Sequence, residues 1–140
     1  MKFEVSFAGG MKVDATFGNH TVHTDQPVAV GGTDTALSPF DLFLGSLATC
    51  AGLYAMRFCE QREIPTAGLG VTLEPIREPG AKKLGKVRIE VTLPAEFPEK
   101  YREAIIRAVD QCAVKKAIAD PPEFEVATIL PATELAGISN

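Results

Sequence analysis

The sequence lacks the patterns that announce metal chemistry. It has two histidines, His20 and His23, and residues three apart on a strand face opposite sides, so they make a poor chelating pair. No CxxC or HExxH spacing occurs, which leaves no zinc signature. No glycine-rich phosphate loop opens a helix, since Gly31-Gly32 lie well ahead of the Pro39 that starts the long one. Ser-His-Asp chemistry has no candidate nucleophile, because Ser46 falls inside that helix and Ser38 is better used as its cap. A formal charge of −4 offers no clustered basic face, so nucleic acid is not an expected partner. The short run Lys82, Lys83, Lys86 is flanked by Gly80 and Gly85 and reads as a solvated hairpin tip.

Long apolar runs are missing too. Leu42 to Met56 spans fifteen residues, whereas a bilayer crossing takes about twenty. Gly45, Ser46, Thr49 and Gly52 interrupt it, so a core helix is expected and no membrane partner. Met1-Lys2-Phe3-Glu4 has no apolar stretch of the secretory kind. With three cysteines, the expectation is a cytoplasmic protein in a reducing compartment, where any disulfide is transient and therefore catalytic or sensing.

What is present is ordinary globular material. At 140 residues, 46% hydrophobic and 23% charged, the chain suits a single domain over residues 1–140. Phe3, Val5 and Phe7 alternate before Gly9-Gly10, and Met11, Val13, Ala15 and Phe17 after it, which predicts an antiparallel hairpin. A third strand is expected near His20–Thr24, then a loop from Asp25 to Ser38 long enough to suggest a role. Ser38-Pro39-Phe40-Asp41 is a helix start, with Ser38 as cap, Pro39 in the first turn and Asp41 completing a capping box. That helix is expected to run to about Glu63, enclosed over its first turns and stopped by Pro65 and Gly68. Strands follow at Val71–Ile76 and Lys86–Leu93. A second helix opens near Pro98, where Tyr101, Ala104, Ile105, Ala108, Val109 and Cys112 share one apolar face, and it continues through Lys115 to Ala119. Phe124, Val126 and Ile129 suggest a final strand. The fold class is α+β, with antiparallel sheets around a long central helix and a second, cysteine-bearing one.

The thiols carry the functional question. Cys50 lies in the middle of the first helix and Cys112 on the buried face of the second. Cys59 is nine residues beyond Cys50, on the opposite side of the helix, and reads as a packing residue. Spacing leaves Cys50 and Cys112 open between packing thiols and a redox pair. Burial raises a thiol's pKa, so a working Cys50 needs a cation or a helix terminus beside it. Arg57 is on its face but two turns away, and Lys115 or Lys116 is available near Cys112.

The stretch from Gly31 through Ser38-Pro39-Phe40-Asp41-Leu42 to Cys50 resembles the first signature of the OsmC/Ohr family, a proline-started central helix with a cysteine eleven residues on. Cys112-Ala113-Val114-Lys115-Lys116 resembles its second signature, and Pro121-Pro122-Glu123-Phe124-Glu125-Val126 its closing strand. The resemblance implies an intertwined α+β homodimer with active sites at the interface and no metal or organic cofactor. It implies a peroxidase reducing organic hydroperoxides, with Cys50 peroxidatic, Cys112 resolving and an external dithiol as reductant. The hydroperoxide-resistance branch has a glutamate after the proline, where Phe40 stands, and an arginine in the first strands, whereas the first arginine here is Arg57. Ala113 stands where proline is usual after the second cysteine. The chain thus resembles the broader OsmC-like group more closely. Asp41, Arg57, Lys115 and Lys116 remain the candidates to support the thiols. The alternative is a non-catalytic protein of this fold that binds a small apolar ligand at the dimer interface.

Overall fold

The computed structural model describes residues 1–131. Two glycines with positive φ, Gly9 at 98° and Gly10 at 58°, turn the first hairpin, conformations that only glycine adopts without strain. Strands β1 (Glu4–Gly9), β2 (Lys12–Phe17) and β3 (His20–Thr24) form an antiparallel sheet in sequential order. In register, Phe7 meets Val13, and His23 meets Asp14, whose carboxylate lies 3.1 Å from the imidazole. The alternation forms the strands as expected, but their apolar face is uncovered, leaving Phe3, Val5 and Phe7 exposed.

The loop after β3 is organised by one carboxylate. Asp25, buried itself, accepts the hydroxyls of Thr33 (2.6 Å) and Thr35 (2.8 Å). It also accepts the N–H groups of Gln26, Thr33 and Thr35. The Thr33 hydroxyl comes first among the bonds that hold this carboxyl far below its usual range. A Cβ at Gly32 would stand 1.8 Å from the Gln26 carbonyl oxygen, so the fold of the loop demands glycine there. The bound loop delivers the chain to Ser38.

Helix α1 (Pro39–Glu60) starts as its cap predicts. Ser38 Oγ accepts the Asp41 N–H at 3.2 Å and donates to the Asp41 carboxylate at 2.6 Å. Its end differs from the sequence expectation. Glu63 takes the left-handed conformation (φ 53°), so the Ile64 N–H reaches back to the Cys59 carbonyl at 2.9 Å. This C-terminal cap stops the helix ahead of Pro65.

One face of α1 forms the core. Ala51, Ala55, Phe58 and Cys59 pack with Ile64, Ile105 and Val109, backed by Val71, Ile89 and Val91. The expected enclosure of the helix is corrected to this one side. Phe40, Phe43, Leu53 and Met56 remain exposed, because the remaining elements cover only one stripe of a helix apolar nearly all round. By length and composition α1 could cross a bilayer, but its packed stripe is that of a core helix.

Strands β4 (Gly70–Ile76) and β5 (Lys86–Thr92) pair antiparallel beside α1. A turn of 3-10 helix (Glu99–Tyr101) leads into α2 (Arg102–Val109), and α3 (Ala113–Ala119) follows after a break. A continuous second helix was the expectation, and residues 110–112 correct it. The expected last strand is corrected as well: residues 121–131 form no strand, and Phe124, Val126 and Ile129 are exposed. An alternating segment becomes a strand only where an edge meets it.

Candidate active site

Cys50 and Cys112 are brought together by antiparallel packing of α1 and α2. Small Ala51 and Ala55, both fully buried, let α2 approach. Phe58 further along α1 meets Tyr101 ahead of α2, with ring centroids 6.0 Å apart, so the end of α2 falls back opposite Cys50.

The helix break sets the position of Cys112. The N–H groups of Gln111 and Cys112 bond to the carbonyls of Ala108 (3.0 Å) and Val109 (3.1 Å), tightening the last turn. Cys112 then leaves the helix at φ −46°, ψ 123° and caps α3, whose first closing bond runs from Lys116 N–H to the Cys112 carbonyl at 3.0 Å. Neither glycine nor proline marks this break. Asp110, a weak helix former, sits just before α3, where its charge suits the helix dipole and pairs with the Lys115 ammonium. So Cys112 is buried, as expected, but at a helix start and not on a helix face.

The first N–H groups of a helix have no partner within it. Here two of them serve Cys50. The hydrogen bond from the Cys112 thiol, then the N–H of Val114 and that of Ala113, lower the Cys50 thiol below its ordinary range, against the opposing effect of burial. The Cys112 thiol is pushed up, chiefly by burial and then by its bond to Cys50. The two directions agree in sign: of the pair, Cys50 gives up its proton more readily than Cys112. Cys50 is half-buried and open to a reactant, whereas Cys112 is enclosed.

The other candidates are placed elsewhere. Asp41 is occupied in the helix cap. Arg57 is not among the groups acting on Cys50. Lys115 is paired with Asp110, and Lys116 is exposed on α3. Cys59 is fully buried in the core, where burial raises its thiol. Among the described residues, no group of three His, Cys, Asp or Glu side chains could hold a metal ion. The backbone donors of Ala113 and Val114 were missed from sequence, since no side chain signals them.

Two depressions border the helices that carry the thiols. A trough of about 1120 Å³ runs between β5, α2 and α3, bordered by apolar Leu47, Ile89 and Ile105 and by charged Glu90, Arg102, Asp110 and Lys115. Leu47 stands one turn before Cys50. A second groove, of about 510 Å³ between α1 and α2, is bordered by Tyr54, Arg57, Gln61, Arg62, Arg107 and Gln111. Tyr54 stands one turn after Cys50.

The sequence matches the family profile described as OsmC-like protein over residues 32–127, a stretch that includes both thiols. No curated protein matches it. A solved structure from Psychrobacter arcticus 273-4, described as an osmotic stress induced and detoxification response protein, is similar with a TM-score of 0.72 and 25% identity, covering 84% of this chain and 87% of that one. An organic hydroperoxide resistance protein OsmC from Legionella pneumophila gives a TM-score of 0.56 at 19% identity, covering 84% and 89%. One described as an organic hydroperoxide resistance protein from Vibrio cholerae O1 gives 0.50 at 17%, covering 84% of each chain. At these identities the last two establish a shared fold only.

Proposed function

The chain belongs to the OsmC-like family, and from that premise we propose that it is a thiol-dependent peroxidase that reduces organic hydroperoxides. Family membership and the stress-response description of the Psychrobacter relative support a role in stress defence. One arrangement carries the finer reading: Cys112 and the start of the helix it caps stand against Cys50, and they lower its thiol. A thiolate, not a thiol, is the attacking species, and these donors supply the support that an arginine would otherwise give.

The cycle follows from the pair. The Cys50 thiolate attacks the outer oxygen of ROOH, the O–O bond breaks, and RO⁻ takes a proton to leave as ROH. Cys50 is then a sulfenic acid. The Cys112 sulfur attacks it, water leaves, and a Cys50–Cys112 disulfide forms before overoxidation. An external dithiol returns both thiols and is itself oxidised to a disulfide. The apolar part of the trough, at Leu47, Ile89 and Ile105, suits the organic part of the peroxide.

A homodimer is part of this reading. Uncovered apolar side chains on β1, on α1 and at Phe124 and Val126 support it, and sedimentation at micromolar concentration tests it. The expected setting is the reducing cytoplasm. For the reaction itself, the test is steady-state consumption of cumene or tert-butyl hydroperoxide with a dithiol. Cys50→Ser is expected to lose at least about a hundredfold of the rate. Equal rates for the two proteins would sink the enzyme reading and leave the alternative, a non-catalytic protein that binds a small apolar ligand at the dimer interface.

A further inference from the structure

We propose that the Asp110–Lys115 ion pair is a positioning pair, which clamps helix α3 across the break at residues 110–112 and keeps its start against Cys50. This rests on the peroxidase reading for its role and adds two residues on which that site depends.

Helix α3 has little else to hold it. It is seven residues long with no buried residue, and a helix this short is marginal in water by itself. Its cap residue, Cys112, makes no side-chain capping hydrogen bond, so the usual stabilisation of a helix start is missing. The break is closed from the α2 side, by the N–H groups of Gln111 and Cys112 on the carbonyls of Ala108 and Val109. Those bonds fix where α2 ends, and neither reaches beyond Cys112. The side chains do reach across: Asp110 is the C-terminal cap residue of α2, and Lys115 is the third residue of α3.

Among the described residues no other ion pair joins the two helices. Arg107 pairs with Glu103 within α2, Arg102 with Glu99 just ahead of it, and Arg88 on β5 with Glu74 on β4. Arg57 on α1, Glu90 on β5 and Lys116 on α3 are in none of the ion pairs among the described residues.

Placement of α3 matters because it packs on α1 and its first turn carries the Val114 and Ala113 N–H groups that favour the Cys50 thiolate. Hydrogen bonds weaken steeply with angle, so a small swing of α3 withdraws both donors. The partners are 60% and 49% exposed, and an exposed pair shifts a local equilibrium by about two- to fivefold. A marginal helix responds to a factor of that size, where a buried one would not.

The direction of the effect distinguishes a clamp from two charges acting through space. By charge alone, removing the Asp110 carboxylate favours a nearby thiolate, and removing the Lys115 ammonium disfavours it. With a clamp, either removal has one result: α3 swings away, and Cys50 holds its proton to higher pH.

The test reads two quantities on the reduced full chain. One is amide hydrogen exchange over residues 113–119, and the other is iodoacetamide alkylation of Cys50 against pH, followed by peptide mass spectrometry. In Asp110→Asn and in Lys115→Met, exchange is expected to quicken about two- to fivefold. The alkylation profile is expected to move to higher pH in both, with at least about twofold less reaction at neutral pH. Lys115→Arg is expected to keep both readouts, and the reversed pair Asp110→Lys/Lys115→Glu to restore them. Both residues are exposed, so the fold is expected to be kept, checked by circular dichroism. Exchange unchanged in both single variants overturns the proposal. So does an Asp110→Asn profile that moves to lower pH or stays in place, or a reversed pair that restores neither readout. Neither quantity involves peroxide, so equal hydroperoxide consumption by wild type and Cys50→Ser sinks the peroxidase reading and leaves this test standing.

Discussion

Replacing Ala113 by proline removes one donor from Cys50 while leaving helix α3 able to form. Ala113 is the first residue of α3, the position where proline costs least, because its missing N–H has no partner within the helix. Cys112 already has ψ 123°, the extended geometry that a following proline requires. The substitution therefore isolates the N–H. A hydrogen bond to a charged group contributes about 1.5–3 kcal/mol. Cys50 is only half-buried and Ala113 is the least of its three supports, so solvent competition brings the loss to about 1 kcal/mol. That is about fivefold less thiolate at neutral pH. The assay is iodoacetamide alkylation of Cys50 against pH, followed by peptide mass spectrometry. In Ala113→Pro the profile is expected to move to higher pH, with the thermal midpoint unchanged or slightly raised by the stiffer unfolded chain. An unmoved profile in a folded variant would refute the claim that the helix end sets the thiolate.

Other expected outcomes concern the frame around the site. Glu63→Gly relieves a left-handed residue (φ 53°) at the end of α1 and is expected to stabilise by about 1 kcal/mol, read by urea unfolding. Cys59→Ser buries a hydroxyl among Ala55, Phe58 and Ile105 and is expected to cost about 1–3 kcal/mol, with peroxide consumption by the folded protein unaltered. Because the Asp25 carboxyl is lowered in the folded state, its contribution is full above the unfolded value of about 3.9 and is lost as pH falls through the lower folded one. Asp25→Asn is expected to lower the thermal midpoint at neutral pH and to flatten its fall in acid, checked by circular dichroism melts from pH 7 to pH 2.

Much of this was readable in the chain, for local reasons. Gly9-Gly10 fixes the first hairpin, Ser38-Pro39 with Asp41 fixes the start of α1, and the apolar offsets of Tyr101 to Cys112 place α2 against the core. The two thiols were legible as residues and their pairing only as a resemblance, because contact across sixty residues has no local signature. The break at 110–112 was hidden, since tertiary packing and an Asp110–Lys115 pair make it without glycine or proline. The support for Cys50 was hidden with it, because backbone N–H groups acquire a direction only when the helix ends. Phe124 and Val126 alternate like a strand, but pairing depends on an edge that the alternation cannot supply.

The most direct measurement is mass spectrometry of the full chain after one equivalent of cumene hydroperoxide. The account expects a loss of two hydrogens, about 2 Da, and a peptide pair joined through Cys50 and Cys112. Gain of oxygen at Cys50 with Cys112 still open to alkylation after unfolding, or no reaction at Cys50, would contradict it.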